Sequence, residues 1–428
     1  MKRTLLKGLF LSLFLLTINP ALSATQSRST TGTFEDAEGA KSAFNYVNHL
    51  RQELKLAPLA WNPQLQTSAQ SHAYYEVLND QQGHQQAPNM RAFAGKTPND
   101  RAFAVGYRSQ VSEVISYNAA HPQKYIDDLM SAIYHRLGLL DMTKDEMGIS
   151  LAEDSKGWVK GALVANLGNQ NLNQACGREN RFANGTVLYG GLCKNDVRLA
   201  KTTFEQIQKQ TAASSPKLIF WPKSGATVPP VFYEESPDPL PQCNVSGYPV
   251  HLQINPNFWG KIQFIPSSFT LTNLTTGTAI KPAAIFNNLT DPQHHEAQAT
   301  EERWLAFFPE QRLNWNSRYQ AQVQWQENGT LKTTRWAFFT PTLQNLHIIQ
   351  QRQQTLSAKS GETLYFYFPP KGCQAPQQAN LAAKHTPSLT FETEFVDTQT
   401  LKVVLGKQTG KIVLTYLPTQ TEVTIEVR

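Results

Sequence analysis

Charge is scarce in this 428-residue chain, where Asp, Glu, Lys and Arg together make up 17%, below the roughly 25% of ordinary globular domains. Aromatics are plentiful by contrast, with 22 Phe, 14 Tyr and 8 Trp, and so much buriable surface excludes general disorder. The 24 Gly and 25 Pro follow no period, which excludes a collagen-like fibre or a long coiled coil. Dense Lys/Arg runs are also missing. The formal charge is +6, but three of the 39 basic residues fall in residues 1–24, which hold no acid, leaving 36 basic against 33 acidic residues. A nucleic-acid partner would need basic residues clustered on one face, so no nucleic acid is expected. Beyond the first 24 residues no apolar run approaches the ~18 needed to span a bilayer, so the mature chain is expected to lack a transmembrane segment.

Residues 1–24 have the layout of a secretory signal peptide. Lys2, Arg3 and Lys7 form a basic start, Leu9 to Leu16 form a short apolar run, and Pro20 precedes the small residues of Ala21-Leu22-Ser23-Ala24. The expected destination is the periplasm or the extracellular space. Only four cysteines are present, Cys176, Cys193, Cys243 and Cys373. An even number in an exported chain points to disulfides, with three possible connectivities. Cys176 with Cys193 is the local choice, closing a loop worth on the order of 3 kcal/mol. A cysteine zinc site is disfavoured, because no Cys-x-x-Cys pair occurs.

The pattern divides the chain into a signal segment (1–24), a polar leader (25–36), an α+β head (37–210), a proline-rich linker (211–243) and two β domains (244–341 and 342–428). Phe44, Val47, Leu50 and Leu54 define one helix face. Asn62 and Pro63 begin a second helix, whose stripe is Leu65, Ala69, Ala73 and Val77. Residues 79–110 read as a loop too long to be a mere connection, either functional or holding short elements. A third helix is expected over 121–142, followed by a hairpin of 146–152 with 158–167. Prolines crowd the stretch from Pro216 to Pro241, which reads as a stiff linker. Beyond Cys243 the period is two. Tyr319 to Trp325, the turn Glu327-Asn328-Gly329-Thr330 and the return through Trp336 and Phe338 form a hairpin signal within an immunoglobulin-like sandwich.

Chemistry concentrates in the head at His84, Glu113 and His135. Taken singly, a histidine in a Gln-rich loop or a glutamate between valine and isoleucine is ordinary, and His72 reads as structural. Their order carries more. Asn45 to Arg51, Pro58-Leu59-Ala60-Trp61-Asn62-Pro63-Gln64-Leu65 and Ala69 to Ala73 resemble the opening of the CAP superfamily of cysteine-rich secretory, antigen 5 and pathogenesis-related proteins, in its bacterial branch. By that resemblance His84 matches the family's first histidine, Glu113 the glutamate of its "GEN" element, His135-Arg136 its second histidine with arginine, and Met147-Gly148-Ile149 the start of the next strand. Ser112 and Val114 replace the glycine and asparagine of "GEN", and Leu129 stands where a tryptophan is usual. The family's second glutamate has no match, with Asp127 and Asp128 in the neighbourhood.

The resemblance implies an α-β-α sandwich in which His84, Glu113 and His135 line an open cleft. Two neutral imidazoles, His84 and His135, could hold a divalent cation such as Zn²⁺, and a carboxylate could orient an imidazole or act as a base. The implied function is an exported protein binding a small-molecule, lipid or cell-envelope ligand, with the β tail positioning the head or docking on a partner. Two alternatives are a peptidase-like hydrolase using His135 or His84 as base, beside which Ser112 or Ser131 could serve as nucleophile, and an adhesion or glycan-binding protein acting through Trp259, Trp304, Trp315 or Trp336.

Overall fold

The computed structural model describes residues 34–178, 181–293, 299–376 and 378–428. The proposed signal segment, and the leader up to residue 33, lie outside the described residues. Helix α1 (Ala37–Glu53) begins where Asp36 accepts from the Gly39 amide, and it buries Phe44, Val47 and Leu50. Short strand β1 (Phe34–Glu35) precedes it and β2 (Ala60–Trp61) follows. Asn62 caps α2 (Pro63–Asn79), accepting from the amides of Gln64 and Leu65, as the Asn-Pro signal requires. The long loop does hold a short element, α3 (Pro98–Ala104), closed by a capping box of Thr97 and Asp100.

Strands β3 (Ser112–Tyr117), β4 (Glu146–Glu153) and β5 (Gly161–Gly168) complete a sheet of order β1-β4-β5-β3, with β2 on β4. Alternate residues feed opposite faces. Met147, Ile149, Leu163 and Ala165 pack toward α1, while Ile115, Ala152, Ala162 and Val164 pack toward Ala69, Ala73 and Val77 of α2. Helix, sheet and helix thus form three layers. Gly148 is required by this closeness, since a Cβ there would lie 1.9 Å from the Gln66 amide nitrogen.

The single helix expected over 121–142 is two, α4 (Pro122–Ser131) and α5 (Ile133–Leu139), broken at Ala132 in an extended conformation. The cause is tertiary. The Glu235 carboxylate, about a hundred residues away in sequence, accepts from the amides of Ile133 and Tyr134 at 2.6 and 3.0 Å. The proline-rich stretch also departs from expectation. Within it, Leu218–Trp221 is a strand paired with Val250–Ile254, and Val231–Phe232 pairs with Ser246–Gly247. These backbone groups find partners in the β domain, so the segment is part of a folded unit and not a free spacer.

Two four-stranded sheets make the first β unit. One contains Leu218–Trp221, Val250–Ile254, Trp304–Pro309 and Pro282–Asn287; the other is built on Ile262–Asn273, Arg318–Glu327 and Thr330–Phe339. The expected hairpin turns at Asn328-Gly329, both with positive φ (49° and 79°), as a two-residue turn of this hand demands. Two further four-stranded sheets lie C-terminal to it around a separate core of Leu364, Phe366, Leu401, Val403, Ile412, Val423 and Ile425. By contrast, the α1 side of the head shares one continuous core with the first β unit, from Val47 and Met130 to Trp221, Tyr248 and Phe307. Both disulfides form, Cys176–Cys193 and Cys243–Cys373, and the second ties the end of the proline-rich stretch to the C-terminal unit.

Candidate functional site

His84, Glu113 and His135 all line one open cavity of about 690 Å³ between the head and the first β unit. Ser112, Tyr134 and Gly138 join them from the head, while Gln253, Trp259, Arg303 and Trp304 face them from the β unit. The residues flagged by the sequence are therefore brought together, and the cleft has a second wall that the head does not supply.

Glu113 sits on β3 with a side chain only 1% exposed, not facing solvent as a lone strand glutamate usually does. Arg101 of α3 holds it in a two-pronged contact, both carboxylate oxygens 2.8 Å from Nη2. The same guanidinium donates to the carbonyls of His84 and Gly95. Asn166 on β5, in the amide orientation that satisfies both its ends, also donates to Glu113 Oε2 at 3.1 Å. Burial works against the charged form of Glu113, but the hydrogen bond with His84 and the charges around it hold the carboxyl below its usual range. His84, 39% exposed, meets Glu113 through Nδ1 at 3.0 Å.

Beneath this pair lies a buried relay that fixes the His84 loop. His72 is fully buried and bonds through Nε2 to the Gly83 carbonyl at 2.9 Å, while Gln86 lies 3.0 Å from Nδ1. A carbonyl can only accept, so Nε2 carries the proton and Nδ1 accepts from the Gln86 amide. Burial lowers this ring to about 4, keeping it neutral. The same burial raises Glu76 to about 9, which leaves it a neutral acid accepting from the Tyr117 hydroxyl at 2.8 Å. Tyr117 in turn accepts from the Gly83 amide at 2.8 Å, and Gly83 takes a φ of +112° that favours glycine. His72 does not line the cavity, and its contacts with Gly83 and Gln86 form the floor under His84.

His135 sits in the first turn of α5, 14% exposed, with Nδ1 3.0 Å from Glu235. Sequence reading missed Glu235. It lies in the stretch expected to be a linker, and no local pattern ties it to a histidine a hundred positions earlier. The aspartates weighed in its place are elsewhere: Asp127 accepts from the Tyr46 hydroxyl, and Asp128 pairs with Lys124. Neither lines the cavity.

Each imidazole therefore spends Nδ1 on a buried carboxylate and has no hydrogen bond at Nε2 among the described residues. That is the arrangement in which an outer carboxylate orients a ligating or basic imidazole. The donor set for a cation is sparse: His84 and His135 offer two nitrogens, and among the described residues no group of three or more His, Cys, Asp or Glu is placed to hold a metal. Among the described residues neither candidate nucleophile bonds to a histidine. Ser112 borders the cavity, and Ser131 donates to the Asp128 carbonyl. Of the four tryptophans proposed for glycan stacking, Trp304, Trp315 and Trp336 are buried, at 6%, 8% and 4% exposure. Trp259 and Trp304 border the cleft, and the Arg303 guanidinium lies 4.4 Å over the Trp259 ring.

The head is thus a three-layer α-β-α domain with a histidine–glutamate cleft. Residues 44–167 match the model of the cysteine-rich secretory protein family, CAP, and the chain contains a CAP domain. His84, Glu113 and His135 fall inside that match; Glu235 falls outside it. Among solved structures, an outer surface protein of Borrelia burgdorferi is similar at 17% identity, over 32% of this chain and 96% of that one (TM-score 0.28). An extracellular protein containing an SCP domain from Bacillus anthracis is similar at 19% identity, over 30% and 40% (TM-score 0.26). A cysteine-rich secretory protein from Staphylococcus aureus is similar at 19% identity, over 30% and 38% (TM-score 0.23). Comparison with curated proteins gives no match.

Proposed function

We propose that this is an exported CAP-domain protein that binds a ligand in the His84/Glu113/His135 cleft. The observation that carries the reading is that two histidines 51 positions apart border one solvent-connected cavity, each with Nδ1 taken by a buried carboxylate. Such a pair aims two proton-accepting or cation-binding nitrogens at whatever enters. The rest of the lining mixes carboxylate, hydroxyl and indole groups, which suits a ligand with both polar and apolar parts, of small-molecule, lipid or cell-envelope origin. Two disulfides support export, since they persist in oxidising compartments, and residues 1–24 read as the address.

A divalent cation such as Zn²⁺ would sit on His84 and His135, with its remaining positions left for water or ligand, and would supply Lewis acidity there. Isothermal titration with Zn²⁺ tests this directly. Binding is expected in the wild-type protein and lost in His84→Ala/His135→Ala; equal heats from both proteins remove the metal from the reading. Ligand entry has its own reporter in Trp259. A hit from a lipid or glycan screen should change tryptophan fluorescence, and Trp259→Phe should abolish most of that change.

A further inference from the structure

The turn that carries the second histidine is held from outside the CAP match at every residue. The Tyr134 amide donates to Glu235 and its hydroxyl to Asp291 at 2.9 Å. His135 meets Glu235 through Nδ1. Arg136 is fully buried; it donates to the Pro249 carbonyl at 2.8 Å, approaches His251 at 3.3 Å, and lies 4.7 Å over the Tyr248 ring. Nothing within residues 44–167 hydrogen-bonds the His135 ring, whereas His84 is held by Glu113 of the same domain.

We propose that Glu235 is the positioning residue for His135, so that the ligand site is completed by the segment C-terminal to the CAP domain. The chemistry follows from proton counting. One Glu235 oxygen accepts from the Ile133 amide; the other accepts from the Tyr134 amide and faces the His135 Nδ1. Both main-chain partners are donors, so the carboxylate acts here only as an acceptor, and the neutral ring must carry its proton on Nδ1. The lone pair is then left on Nε2, the nitrogen with no hydrogen-bond partner among the described residues. A carboxylate that caps the helix start and orients the ring fixes the position and the tautomer together. The inference rests on the cleft being the ligand site, but its test does not depend on any ligand.

The test is nitrogen-15 spectroscopy of histidine rings in the full-length mature chain, at a pH where both cleft rings are neutral. His84→Gln and His135→Gln spectra assign the two signals. In the wild type, His135 is expected as the Nδ1–H tautomer. In Glu235→Ala its pattern should move to the Nε2–H form or to an exchanging mixture, while the His84 signal stays put because Glu113 is untouched. A wild-type His135 in the Nε2–H form would overturn the proposal without any variant. So would an Nδ1–H signal that persists in Glu235→Ala, or a shift of both rings together, which would mark a general loss of fold. Failure to bind Zn²⁺ or any screened ligand would count against the proposed function and leave this result standing.

Discussion

At the residue scale, the decisive group is a buried carboxylate whose charge must be matched. Glu113 contributes stability above the unfolded carboxyl range, and that contribution is lost as the pH falls through its lowered folded value. Removing its partner should therefore be severe. Arg101→Met is expected to cost about 3–5 kcal/mol in urea unfolding, because it strands an unpaired buried charge. Arg101→Met/Glu113→Gln should cost less than the single change. Glu76 has the opposite sign. Its folded value is raised from 4.5 to about 9, so its stabilising contribution is complete below 4.5 and is lost as the pH climbs toward 9. The slope on that limb approaches about 1.4 kcal/mol per pH unit. Glu76→Gln keeps an acceptor for Tyr117 and should flatten the alkaline limb of a stability–pH curve. An unchanged limb would place the alkaline loss in another group. The order of His84, Glu113 and His135 was legible in the sequence, because family-like spacing survives in a linear string. Arg101 and Glu235 were not, since each acts through a side chain meeting across chain separations that no local pattern encodes.

At the element scale, helices with apolar stripes and caps were readable, and so was the Asn-Gly hairpin, because their causes are local. The break at Ala132 was not readable. Tyr125, Leu129, Ile133 and Leu137 continue a helical register through it, and only the Glu235 carboxylate explains why the amides of Ile133 and Tyr134 begin a new helix. The proline-rich stretch misled for a related reason. Proline composition marks stiffness, while the pairing of Leu218–Trp221 with Val250–Ile254 is a tertiary fact. The bridge at the end of that stretch closes a 130-residue separation, worth on the order of 5 kcal/mol in chain entropy. Cys243→Ser/Cys373→Ser should lower the melting of the C-terminal unit by a comparable amount, read by calorimetry. A negligible change would mean that the buried Arg312–Asp397 pair, at 2.7–2.9 Å, suffices to seat that unit.

At the scale of the whole molecule, the number of cores differs from the number of expected domains. Head and first β unit share a hydrophobic cluster, whereas the C-terminal sheets enclose their own. Calorimetry should accordingly show two cooperative transitions, with head and first β unit melting together; a separate transition for the head would contradict the shared core. The same fusion explains why the site has two walls, with His84 and Glu113 seated by the head alone and His135 seated by residues that follow it. The most direct measurement is a crystal structure of the protein, read at the two rings. His84 and His135 are expected to border a single water-filled cleft, with Glu113 and Glu235 on their Nδ1 atoms. Rings opening onto different surfaces, or a Glu235 turned into solvent, would contradict the account.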